Sequence, residues 1–164
     1  MKIAHISDIH WRGLSRHEEY TRAFEFLFAK LRELRPDAIF LGGDYFHTKT
    51  AGISPEVIDK LAWMFKNFAR VAPTNVILGN HDGNLSNESR EDVISPIIKA
   101  IAQPNIHFFK KSGSTSFYAN DRHLPNFGVF SCFDKEGWPG RPSCLNLNIA
   151  AFHGSVGGST MDNG

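Results

Sequence analysis

The sequence predicts an α/β fold: a parallel sheet flanked by helices, with a second, smaller sheet packed on it. Three observations carry that expectation. Through residues 2–101, short apolar runs alternate with amphipathic helical stripes, the pattern of βαβ units. Beyond residue 106 the helical period disappears, and short strands separated by Gly, Pro, Asn and Ser take over. Finally, the apolar runs repeatedly end in Asp, Asn or His, at the carboxyl end of a strand, where open sheets hold their ligands.

A chain of 164 residues is long enough for one domain with a proper core. With 41% apolar and 21% charged residues it reads as an ordinary globular protein, and its net charge of +1 points to no particular partner. Cys132 and Cys144 form neither a close metal pair nor a disulfide framework, which suits a reducing compartment. Met1 runs directly into a strand, and no apolar run approaches the about 18 residues of a membrane span. The expectation is a cytoplasmic protein that does not enter membranes.

Taken in order, residues 2–7 form the first strand. Ser15 is the expected cap of a helix, with Glu18 completing a capping box. Tyr20, Phe24, Leu27, Leu31 and Leu34 make its apolar stripe, and Arg35-Pro36-Asp37 ends it. The second strand is 38–42. Ser54 and Pro55 then cap and open a second helix, whose stripe runs through Val57, Leu61, Phe65 and Phe68. The third strand is 75–79. Ser89 is the expected start of a third helix carrying Val93, Ile94, Ile97, Ile98 and Ile101, with Pro96 kinking or delaying it. Strands at 106–109, 115–119, 127–133 and 146–152 are assigned to a second, partly antiparallel sheet.

The chemistry sits where these strands end. Ser7-Asp8-Ile9-His10, Gly42-Gly43-Asp44, Gly79-Asn80-His81-Asp82 and His153-Gly154 each follow an apolar run. Asp8 and His10, one residue apart, can converge on one ion. Asp44 offers a carboxylate able to bridge two ions, Asn80 a neutral oxygen and His153 an imidazole. Such oxygen and nitrogen ligands without thiolate suit manganese, iron or zinc. Two such ions about 3.5–4 Å apart clamp a phosphate and activate water for in-line displacement. His81, beside Asn80, is placed to protonate or stabilise the leaving oxygen, and Asp82 to orient that imidazole. His47, three residues past Asp44, and Arg12, in the loop 11–16, are the candidate substrate contacts. His5 reads as a core residue. His17, His107 and His123 have no partner pattern, and Lys110-Lys111 read as solvated charges.

With these motifs in hand the chain resembles the calcineurin-like metallophosphoesterases, whose signature is D-x-H, G-D, G-N-H-D/E, a lone H and then G-H-x-H. The first four stand here as Asp8-Ile9-His10, Gly43-Asp44, Gly79-Asn80-His81-Asp82 and His153-Gly154. Within that family it looks most like the SbcD-type DNA repair nucleases, through Ile6 to His10, Gly43-Asp44-Tyr45-Phe46-His47 and the helix after Ser54-Pro55. The resemblance implies an αββα core, a double sheet flanked by helices, loaded with two divalent ions, usually manganese. Asp8 and His10 would hold one ion, Asp44 would bridge, Asn80 and His153 would hold the second, and His81 would act in the transition state.

It further implies DNA as substrate, an SbcC-type SMC-like ATPase as partner and a homodimer. The final G-H-x-H does not occur in the 164 residues, nor does a capping domain. The expectation is therefore a nuclease core, 1–164, that is a piece of a longer protein or has an incomplete, weakly active site. Two rivals are a phosphodiesterase of small nucleotides and a noncatalytic docking module on the same fold.

Overall fold

Alternation along the strands decides how the layers stack. The computed structural model describes residues 1–47, 53–87, 90–120, 125–138 and 148–154. Strands β1 (Ile3–Ile6), β2 (Ala38–Leu41), β3 (Thr74–Ile77) and β4 (Ile106–Phe109) form a four-stranded sheet in the order β1-β2-β3-β4. All three of its pairings are parallel. On β2, Ile39 and Leu41 face one core while Ala38 and Phe40 face another, because successive side chains point to opposite sides. The first core is closed by helices α1 (His17–Leu34), α2 (Pro55–Val71) and α3 (Ile94–Ile101). The second is closed by a sheet of β5 (Gly113–Ser116), β6 (Asn126–Phe130) and β7 (Asn148–Phe152), with Phe117, Phe127 and Val129 at its centre. In that sheet β5 and β6 are antiparallel and β6 and β7 parallel. Among the described residues, then, helices flank the first sheet and the second sheet covers its other face. No helix there is long and apolar enough to cross a membrane.

Several sequence expectations shift. The strand at 106–109 belongs to the first sheet, not the second. It completes a third βαβ unit through α3, whose Ile94 and Ile97 pack into the helical core. Helix α1 begins at His17, not after Ser15. Arg16 takes the cap position with φ 63° and makes no side-chain cap bond. Tertiary contacts outrank the local capping signal here: His17 Nε2 donates to the Arg12 carbonyl (2.7 Å) and Ser54 Oγ to that of Gly13 (2.7 Å). Helix α3 is delayed to Ile94, with Pro96 in its first turn, where a missing N–H has no intrahelical bond to lose. Asp92 accepts from the N–H groups of Ile94 (2.9 Å) and Ser95 (2.6 Å). The expected start Ser89 lies outside the described residues, as do His123, Cys144 and the first part of the last strand. His5 is exposed and packs against Phe40 on the sheet's second face instead of joining the core.

Ser54 and Pro55 do open α2, with the Val57 N–H reaching Ser54 Oγ at 3.4 Å. Trp11, expected in the substrate-facing loop 11–16, is instead fully buried. It stacks on Tyr20 and Phe24 (centroids 4.8 and 5.7 Å) and so anchors the segment after His10 to α1.

Candidate metal centre

Three candidate ligands have unusual backbones. Asp8, His10 and Asp44 adopt φ of 57°, 51° and 56°. The left-handed region costs a non-glycine residue about 1–2 kcal/mol, and Asp and His are among the residues that enter it most readily. The conformation is held by a ladder between two loops. The N–H groups of Asp8, His10 and Trp11 donate to the carbonyls of Gly43, Asp44 and Tyr45 at 3.1, 3.0 and 2.8 Å. That curl brings Asp8 and His10 together, with His10 Nε2 3.8 Å from Asp8 Oδ1. The loops after β2 and β3 also touch: a Cβ on Gly43 would lie 2.7 Å from the Gly79 Cα, and one on Gly79 would strike the Asp44 carboxylate. Glycine is what lets them approach.

The imidazoles share one orientation. His10 Nδ1 donates to the Phe46 carbonyl (3.2 Å), His81 Nδ1 to that of His47 (2.9 Å), and His153 Nδ1 to that of Gly42 (2.6 Å). A carbonyl only accepts, so each Nδ1 carries a proton and each Nε2 is turned inward. All three Nε2 atoms face Asp44 Oδ2, at 3.7, 4.0 and 3.2 Å respectively. Burial pushes the Asp44 carboxyl up, but hydrogen bonds from His153 and the His81 N–H outweigh it and hold it below its usual range. The Asp44 contact raises the His153 imidazole to about 9.

Asp82 does something other than orient His81. Its side chain is fully buried and gathers backbone N–H groups: Asp44 at 2.9 Å, Tyr45 at 2.8 Å, Gly79 at 2.8 Å and Phe46 at 3.4 Å. Burial raises its carboxyl to about 7 against the pull of those donors. Asp82 thus ties the loop after β2 to the loop after β3, while the His47 carbonyl aims the His81 ring. Tyr45 reinforces the tie, its hydroxyl lying 3.0 Å from the carbonyls of both Leu41 and Ile77. Neither the carbonyls nor this tyrosine bridge was legible beforehand, because backbone groups leave no mark in a sequence.

The donor set fits divalent cations. His10, Asp44 and His81 form one group, and Asp8, Asp44 and His153 another, with each group's donor atoms within 4.8 Å of one another. Asp44 is common to both, as expected of a bridging carboxylate. His81, expected to act on the leaving group, lies within the first. Asn80 lines the same cleft of ≈ 500 Å³ as Asp8, Asp44 and His153. His47 stands at the rim, its ring edge-on to His10 at 5.8 Å. Its imidazole is held below the usual range by desolvation and by the positive charge of Arg12. Oxygen and imidazole donors without thiolate are the chemistry of manganese, iron or zinc sites.

The family model of calcineurin-like phosphoesterases matches residues 1–158. The chain belongs to that family. Metal-dependent phosphoester hydrolysis is the chemistry of that family, and the shared carboxylate and inward imidazoles are the kind of donor set it uses. The chain is also 38% identical, over 176 aligned positions, to an uncharacterised protein of Acanthamoeba polyphaga mimivirus. That alignment covers 99% of this chain and 13% of the viral protein, so the chain spans about an eighth of its relative's length.

Proposed function

We propose that this calcineurin-like phosphoesterase hydrolyses DNA phosphodiesters as the nuclease core of a repair or recombination complex, paired with an SMC-like ATPase of SbcC type. The observation that supports hydrolysis most strongly is Asp44 Oδ2 facing the Nε2 atoms of His10, His81 and His153. Asp8, His10, Asp44, Asn80 and His153 are the residues that would hold two divalent ions, manganese by the family's habit. Those ions supply Lewis acidity to the phosphate and an activated water. Asp44, common to both donor groups, would supply negative charge to both ions, and the αL backbones of Asp8, His10 and Asp44 hold these ligands in place. His81, its Nδ1 proton committed to the His47 carbonyl, presents Nε2 to the departing sugar oxygen and, when protonated, donates to it. Support for DNA comes from the motif Gly43-Asp44-Tyr45-Phe46-His47 and from the His47 ring standing beside that of His10.

The direct test is cleavage of linear duplex DNA with manganese, compared with hydrolysis of a small phosphodiester. Chelation is expected to abolish both. Hydrolysis of the small ester without any cleavage of DNA would leave the phosphoesterase and remove the nuclease. Within that assay His47→Ser is expected to impair processing of duplex ends more than hydrolysis of the small ester. Equal losses would assign His47 to structure, through its contacts with His10 and His81.

A further inference from the structure

The carboxyl rim that carries the metal centre continues onto the edge strand. Lys110 and Lys111 directly follow β4, and with Gly83, Arg90, Asp92 and Phe133 they line a recess of ≈ 240 Å³. The recess adjoins the site. Gly83 lies two residues past His81, so their Cα atoms are within about 7.6 Å. β4 pairs with β3, the strand that leads into Asn80 and His81.

The charges there divide into committed and uncommitted. Asp92 is buried and saturated: besides the two N–H groups that open α3, it takes Ser95 Oγ at 2.6 Å and Lys110 Nζ at 2.8 Å. Asp134, also on the wall, accepts from the Ser112 N–H at 2.9 Å. Lys110 is therefore the counter-ion of Asp92. Arg90 and Lys111 are both exposed, and among the described residues neither forms an ion pair. Helix-dipole complementarity does not account for them, since they stand near the first turn of α3, the end that disfavours cations. Two free cations beside a phosphoesterase centre, in a recess too small for a duplex but roomy enough for one phosphate, suit a polyanionic substrate.

We propose that Arg90 and Lys111 bind a non-scissile phosphate of the nucleic-acid strand whose neighbouring phosphodiester lies at the metal centre. This rests on the nuclease reading above and adds to it a positioning contact, which favours strands over single phosphodiesters. The recess sets where along the strand the cut falls relative to a bound phosphate.

Fluorescence anisotropy of a labelled single-stranded oligonucleotide tests this, with calcium present and salt varied, on the native protein and its Arg90→Ala/Lys111→Ala variant. Losing both contacts to this one phosphate on a single strand is expected to weaken binding about tenfold and to reduce the salt slope by about 0.7. The charge-preserving pair Arg90→Lys/Lys111→Arg is expected to restore the slope, which a merely structural role would not require. Unchanged affinity and slope in the alanine variant, or no oligonucleotide binding by the native protein, would overturn the proposal. Hydrolysis of bis(p-nitrophenyl) phosphate with manganese, a probe with one phosphate, reports separately on the metal centre. Its failure would count against the phosphoesterase reading itself.

Discussion

His81→Asn is expected to lower manganese-dependent phosphodiester turnover by about 10²–10³-fold while both ions still bind, the usual cost of removing one preorganised stabilising group. The His47 carbonyl fixes Nδ1 as a donor, and Nε2 stands 4.0 Å from Asp44 Oδ2, the longest of the three imidazole approaches. The His81 side chain is also 36% exposed, against 10% for His153, so it borders the space a substrate must occupy. A group at that rim acts on the phosphate's leaving oxygen more readily than a group packed beneath it. Calorimetric manganese titration beside a turnover assay separates the roles. Retained ions with lost turnover assign His81 to the transition state. Loss of one ion would make it a ligand, completing the group it forms with His10 and Asp44.

Asp82→Ala is expected to cost about 3–5 kcal/mol of stability, because each orphaned buried N–H costs about 1–3 kcal/mol and water replaces only some of the lost bonds. Two of its backbone bonds, from the N–H groups of Asp44 at 2.9 Å and Tyr45 at 2.8 Å, join the loop after β2 to the loop after β3, and a third, from Gly79 at 2.8 Å, braces the loop after β3 itself. For a chain of this size the loss corresponds to a fall of about 6–20 °C in thermal midpoint. The same loops carry Asp44, Asn80 and His81, so manganese affinity is expected to drop about 10–100-fold as well, the usual effect of removing an orienting group behind a ligand. Thermal unfolding and metal titration of the variant measure the two effects. A variant as stable as the parent, with unchanged affinity, would mean that the glycine-mediated contact between the loops holds them without Asp82.

Much of this was legible because buried parallel strands punctuated by Asp, Asn and His are improbable as folding signals alone. β1, β2, β3 and the α2 cap follow from apolar runs and from Ser54-Pro55. Asp8, His10, Asp44 and His153 are met together at one end of the sheets, as their strand-end positions implied. What escaped was set by tertiary context. The position of β4 depends on which sheet can accept it, and a four-residue apolar run says nothing of that. The Ser15 capping box lost to contacts made by His17 and Ser54 across the fold. Asp82 looked like an imidazole partner because it adjoins His81, yet its carboxylate turns inward to backbone donors. The left-handed backbones at Asp8, His10 and Asp44 could have been suspected from residue types that tolerate them, though composition alone does not locate them.

Asp44 belongs to both donor groups, and manganese titration of the native protein against Asp44→Ala decides whether two cation sites share it. The native protein is expected to take up two equivalents, and the variant to lose affinity at both together, since one carboxylate belongs to both donor groups. A variant that binds two equivalents as the native protein does, or that loses only one, would contradict the shared site.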